Sequence, residues 1–237
     1  MCMQNPEGLK LIENVYFSPK KRGLWLLNFG VYSVLKRILD LVFAVILMIL
    51  LIPLFAIVSI LIKREDGGKV FFKQERTGQF GKTFKIYKFR SMVINNDIKD
   101  KEHEDKYTKI GKTIRNLSID ELPQLINVIR GEMSFIGPRP WITEYYENMI
   151  NAQKVRTLVK PGITGLAQAN GRNGLSIFEK ISYDVEYVKK FSPLTDVRVI
   201  FETGRAVIKR NSAEVNAGKN GIYDELSDLK ADNKRYV

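Results

Sequence analysis

An aspartate and a glutamate stand side by side at Asp120-Glu121, with Arg115 upstream and Arg139 downstream in a Gly-Pro-Arg-Pro turn, Gly137 to Pro140. A carboxylate can attack phosphorus and form an acyl phosphate. A neighbouring carboxylate suits Mg²⁺, which keeps several waters and bridges to substrate phosphates. Guanidinium groups bind phosphate bidentately, so Arg115, Arg139 and Arg172 are candidate phosphate clamps. A helix N-terminus would add donors for phosphate oxygens. The plainer reading is structural. Ser118-x-x-Glu121 matches a capping box, acids are favourable at any helix start, and each arginine alone is an ordinary surface residue.

The elements that must position these residues follow from pattern. Leu122, Leu125, Ile126 and Ile129 fall on one helical face, Pro123 fits only a first turn, and Gly131 is a C-terminal stop. The expected N-cap is Asp120 or the residue before it. Upstream, Val70 to Gln74 and Phe84 to Arg90 read as two strands, with Gly78 and Gly81 supplying the turn. That small β-hairpin carries Lys85, Lys88 and Arg90, which by themselves suit a solvated basic strand. Asn95 to Lys112 is highly charged and reads as a loop. Downstream, helices are expected over Thr143 to Leu158, Ser176 to Phe191 and Asp196 to Arg210. The last has Val197, Ile200, Gly204, Val207 and Ile208 inward. Its closing Arg205, Lys209 and Arg210 suit the helix dipole and equally an anionic membrane surface. The loop Pro161 to Gly174, which holds Arg172, is glycine-rich but lacks the P-loop pattern.

Ile38 to Ile62 is a run of 25 residues with one ionisable side chain, Asp40. Roughly 20 apolar residues cross a bilayer as a helix. Two details oppose a simple span. Pro53 divides the run into arms of 15 and nine residues and removes a helix hydrogen bond. Lys36-Arg37 and Lys63-Arg64 flank it on both sides, so the positive-inside rule gives no orientation and is met best with both ends cytoplasmic. A helix that dips in and returns, and a span kinked by proline, both remain open. The position, length and flanks do not match a cleaved signal peptide.

The chain has 237 residues and a formal net charge of +12, which favours a polyanionic partner: nucleic acid, anionic lipid or a phosphorylated small molecule. Its one cysteine, Cys2, excludes an internal disulfide. Its one histidine, His103, excludes a histidine-cluster metal site, and a Ser-His-Asp triad is disfavoured by the charged stretch around it.

Together the motifs KRILDL (36–41), QERTG (74–78), FKIYKFRSM (84–92), RNLSIDELPQLINVIRGEMSFIGPRP (115–140), PGITGLAQANGRN (161–173) and YDVEYV (183–188) resemble the bacterial sugar transferases, the monotopic phosphoglycosyl transferases. The resemblance runs from about Leu35 to Arg210. It implies an α+β, mainly helical monotopic membrane protein with a proline-broken re-entrant helix and a small β-hairpin. The implied layout is an N-terminal arm (1–34), the re-entrant helix (35–64), a cytoplasmic catalytic domain (65–210) and a flexible C-terminal tail (211–237). It implies transfer of a sugar-1-phosphate from a UDP-sugar to undecaprenyl phosphate with release of UMP, at the cytoplasmic face of the bacterial inner membrane. This would be the first membrane step of surface-glycan synthesis. In the family the aspartate of the acid pair is the nucleophile and the glutamate binds Mg²⁺, which here are Asp120 and Glu121. The family arginines are Arg115, Arg139 and Arg172, and the basic residues of KFRSM are Lys88 and Arg90. Membrane lipid is an implied partner, a homodimer is compatible, and nucleic acid is not expected. One departure stands out: Ile52 precedes Pro53 where members often carry serine, so the break must rest on Pro53 and other contacts.

Two other classes compete. A membrane-anchored nucleic-acid module would use the same basic charge, but no such motif is present. A scaffold with a dead site is opposed by the intact acid pair.

Overall fold

The computed structural model describes residues 19–93, 107–171, 174–208 and 222–233. The chain divides into two compact units. One comprises Met1–Asp40, Glu75–Phe84 and Glu132–Val237; the other comprises Leu41–Gln74 and Lys85–Gly131.

The first helix, α1 (Pro19–Leu50), is followed after Leu51 by α2 (Ile52–Asp66). The second half of the expected N-terminal arm is therefore helical and continuous with the apolar run. No single described helix is long and apolar enough to cross a membrane, but Asn28–Leu50 and Ile52–Asp66 qualify as a pair bent by 60°. Pro53 is in the first turn of α2, where its missing N–H costs little. Hydrogen bonds from Leu51 N to Leu47 O and from Phe55 N to Leu51 O, each 2.9 Å, carry the backbone through the bend without a serine. Gly67, at φ 71°, closes α2 in the left-handed conformation that glycine adopts freely.

The second unit is built around α2. Strands β1 (Phe71–Thr77) and β2 (Thr83–Phe89) pair as the expected hairpin through a 3₁₀ turn at Gln79–Gly81; its turn end, Glu75–Phe84, belongs to the first unit. Helix α3 (Lys109–Asn116) begins inside the segment read as a charged loop; the rest of that loop, with His103, lies outside the described residues. Thr108 caps α3, and the Glu65 carboxylate accepts from Lys109 N (2.6 Å) and Ile110 N (3.2 Å). Val58 and Ile62 of α2, Phe89 of β2 and Ile114 of α3 form one buried cluster. A 3₁₀ segment, Ile119–Gln124, then leads into α4 (Leu125–Arg130), which Gly131 stops at φ 79°.

In the first unit, β3 (Ser134–Ile136) leads into the Gly137–Pro140 turn. The helix expected over Thr143 to Leu158 is split into α5 (Thr143–Glu147), α6 (Asn151–Lys154) and a 3₁₀ turn. Strand β4 (Gly162–Thr164) pairs parallel with β3, Ser134 opposite Gly162 and Ile136 opposite Thr164. Helices α7 (Leu166–Asn170), α8 (Ile177–Lys189), α9 (Pro193–Ile208) and α10 (Ile222–Asn233) complete it. Phe29 and Tyr32 of α1 join Ile136, Leu158, Tyr187 and Val199 in its main core.

Two expectations change here. Helix α9 buries Asp196 and Val199, and its apolar stripe of Leu194, Val197, Ile200, Phe201, Val207 and Ile208 faces outward. Helical spacing identifies a stripe but not what it meets. Within the expected tail, α10 forms and buries Leu226 and Leu229.

Candidate active site

The acid pair does not open an ordinary capped helix. Ser118 is at φ 58°, ψ 18° and its side chain makes no capping hydrogen bond, so the capping box is not formed. A left-handed non-glycine residue carries strain of about 1 kcal/mol or more. Such outliers concentrate where geometry matters more than relaxation. The turn lifts Asp120 into a buried position, 7% exposed, on a 3₁₀ helix. Glu121 accepts from Lys88 Nζ at 2.6 Å.

Strand geometry explains that partner. Lys88 shares a face of β2 with Phe84 and Ile86, both buried, so alternation carries its amine inward. The register is held by Asn127, which is fully buried on α4. Its Oδ1 accepts from Tyr87 N (3.1 Å) and its Nδ2 donates to Lys85 O (2.8 Å). Asn127 thus fixes α4, and the acid pair before it, against the strand that carries Lys88. Pattern reading passed over Asn127, since it lies among Ile126, Val128 and Ile129; its signal is a lone amide in an apolar helix.

The arginines have different settings. Arg115 lies in the last turn of α3, is exposed, and lies over the Tyr107 ring at 5.0 Å. Its carbonyl accepts from Ser118 N at 3.0 Å, which ties it to the strained turn. Arg90 grips both oxygens of Asp66 and donates from Nε to Lys69 O at 2.6 Å. Those bonds give it a structural task at the end of α2, and hydrogen bonding to Arg90 holds the Asp66 carboxyl below its ordinary range. Arg172 lies outside the described residues.

In the first unit, Arg139 is exposed while Gly137, Pro138 and Pro140 are buried around it. Glycine is required by close approach. A Cβ on Gly137 would meet Lys160 O at 2.3 Å, and one on Gly162 would meet Gly137 N at 2.1 Å. The glycines of GPRP and PGITG therefore serve to pack two backbones together. Arg156, missed by sequence reading, donates to Arg139 O at 2.7 Å and to Asp184 Oδ2 at 2.6 Å, and lies 3.9 Å above the Trp141 ring. Its only sequence signal is a charge inside the apolar stretch Val155 to Val159. Thr77, Gly78, Pro138, Arg139 and Arg156 border a small crevice, and the buried Thr77 hydroxyl has no hydrogen-bond partner among the described residues.

No group of three or more His, Cys, Asp or Glu side chains placed to hold a metal occurs among the described residues. Mg²⁺ commonly takes only one or two protein carboxylates, the other ligands being phosphate oxygens and water. Asp120 and Glu121 meet that requirement in number and kind.

Residues 31–210 match the bacterial sugar transferase family. The chain belongs to this family. Over 191 residues it is 38% identical to the exopolysaccharide production protein ExoY of Sinorhizobium fredii, covering 73% of this chain and 84% of the relative. It is 42% identical over 177 residues to the uncharacterized sugar transferase EpsL of Bacillus subtilis, covering 74% of this chain and 88% of that one. It is 41% identical over 186 residues to the UDP-glucose:undecaprenyl-phosphate glucose-1-phosphate transferase of Klebsiella pneumoniae, covering 73% of this chain but 40% of that longer protein. This sugar transferase is thus similar to enzymes named as UDP-glucose:undecaprenyl-phosphate glucose-1-phosphate transferases.

Proposed function

We propose that this sugar transferase moves a sugar-1-phosphate from a UDP-sugar to undecaprenyl phosphate, as the names of several relatives state for them. The observation that carries the reading is the acid pair on its strained turn, with Asp120 buried and Glu121 held by Lys88.

The Asp120 carboxylate attacks the β-phosphorus of the UDP-sugar, the bridging P–O bond to the α-phosphate breaks, and UMP leaves. An oxygen of undecaprenyl phosphate then attacks the same phosphorus and the acyl phosphate bond breaks, restoring Asp120. One carboxylate serves both halves, which suits a soluble donor and a lipid acceptor. Bound Mg²⁺ would neutralise diphosphate charge, with Glu121 as its ligand. Lys88 holds Glu121 in place and brings positive charge to the same phosphate region. Arg115, Arg139 and Arg172 bind phosphate oxygens. The crevice beside Arg139, where the Thr77 hydroxyl has no partner among the described residues, supports that role for Arg139. Arg90 would have to leave Asp66 before it could contact substrate.

The acceptor places the reaction at a lipid headgroup. The exposed apolar side chains of the bent pair, Phe43, Ile49 and Leu50 among them, and the outward stripe of α9 support a chain that dips into the cytoplasmic leaflet and lies on it. Arg198 and Arg205 on α9 suit anionic lipid.

The test is UMP release from a panel of UDP-sugars with Mg²⁺ and undecaprenyl phosphate. Asp120→Asn is expected to lower the rate by roughly 10³-fold or more, and a phosphosugar adduct should map to Asp120. Equal rates for the two proteins, or an adduct at another residue, would remove Asp120 as the nucleophile.

A further inference from the structure

Helix α10 lies beyond residue 210, where the family match ends. It is nonetheless seated in the fold. Leu226 and Leu229 are 3% and 0% exposed, packed with Tyr145, Met149, Ile177 and Ile181. Glu225 accepts from Lys180 Nζ at 2.6 Å and from Tyr145 OH at 3.3 Å. Burial, with Glu225 beside it, pushes the Tyr145 phenol well above its usual range, so it remains a donor.

Tyr145 is one of the residues on which α10 is seated. Its ring lies 5.2 Å from that of Trp141, tilted by 58°. Trp141 follows Pro140 directly and offers its face to the Arg156 guanidinium at 3.9 Å. Arg156 in turn holds the Arg139 carbonyl. A continuous line of contacts, Leu229 and Glu225 to Tyr145 to Trp141 to Arg156, therefore ends on the backbone of the exposed arginine. A desolvated cation over an indole face is a stabilising contact, and it requires Trp141 to stay in place.

We propose that α10 is a brace, specific to this chain's C-terminal extension, that sets the Gly137–Pro140 turn through Tyr145, Trp141 and Arg156. Tyr145, Trp141 and Arg156 are positioning residues, acting through the turn. The link to catalysis rests on the phosphate-binding role proposed for Arg139, but the brace itself is read without activity.

The experiment compares the full chain with a form ending at residue 210 and with Leu226→Asp, all in a Trp25→Phe background that leaves Trp141 as the sole tryptophan, excited selectively over the tyrosines. Expected results are a red-shifted, more acrylamide-quenched Trp141 and faster amide exchange across Trp141 to Tyr145, with exchange at β3 and β4 unchanged. The KM for UDP-sugar should rise by roughly 2- to 30-fold with kcat little altered. Leu226→Met should restore all three. Unchanged Trp141 emission and exchange in the shortened form would overturn the brace. So would faster exchange throughout β3, β4 and α8, which would make α10 an ordinary part of the core. If even the intact chain releases no UMP, the sugar-phosphate reading fails, while emission and exchange still decide the brace.

Discussion

Asp66, gripped by Arg90, contributes to the acid response of this protein. Hydrogen bonding to Arg90 lowers the Asp66 pKa in the folded state, whereas the unfolded carboxyl titrates near its ordinary value of about 3.9. The unfolded chain thus binds the proton more readily, and this pair stabilises the fold fully above about pH 4. The stabilisation is lost as pH falls through the folded pKa. Thermal midpoints in detergent between pH 6 and pH 3 should show the wild type losing its advantage over Asp66→Asn as acid is added. A constant difference would exclude the linkage. At the same scale, the residue types of the candidate site were legible and their partners were not. Asp120, Glu121 and Lys88 stand out by type and motif, but the Lys88–Glu121 bond joins residues 33 apart. Asn127 and Arg156 act through partners 40 and 28 residues away along the chain. No local pattern encodes such pairs, and the left-handed Ser118 has none of the glycine or asparagine chemistry that signals that conformation.

At the scale of elements, the pairing of β3 with β4 is the sharpest constraint. Its strands are three residues each, too short for an alternating pattern to be seen, so this parallel pair was not expected from sequence. The hairpin was, since its apolar residues and turn glycines agree, and so was the glycine stop at Gly131. Helix α9 was found but turned around, because amphipathic spacing is the same whether the stripe meets a core or a lipid surface. Backbone contact at Gly162 makes a quantitative forecast. A Cβ there would lie 2.1 Å from Gly137 N and 2.4 Å from Thr164 O, both backbone atoms that cannot swing aside. Gly162→Ala should cost about 3 kcal/mol. Gly204→Ala on α9, where nothing lies within 4 Å, should instead stabilise by about 1 kcal/mol. Denaturation midpoints of the two variants check the contrast; equal effects would contradict the close packing.

For the whole molecule, the +12 charge and the exposed apolar bent pair suit the bilayer surface proposed above. Single cysteines at Gly30 and Gly68, in a Cys2→Ser background, bracket the bent pair. Both are expected to be labelled from the cytoplasmic side by an impermeant maleimide; labelling from opposite sides would replace the dip by a span. The docking of α1 has a further consequence. Tyr32 and Lys36 bind Asp196, and Asp40 accepts from Phe135 N at 3.2 Å. Lys36 and its partner are 160 residues apart. At a synthesis rate of about 5–20 residues per second, roughly ten to thirty seconds pass between them. During that interval the apolar run has already left the ribosome, while the polar residues that will fasten it are without partners. If the bent pair meets lipid as proposed, that contact can form before the first unit closes, and a slowed ribosome between codons 60 and 196 would lengthen the interval between the two events.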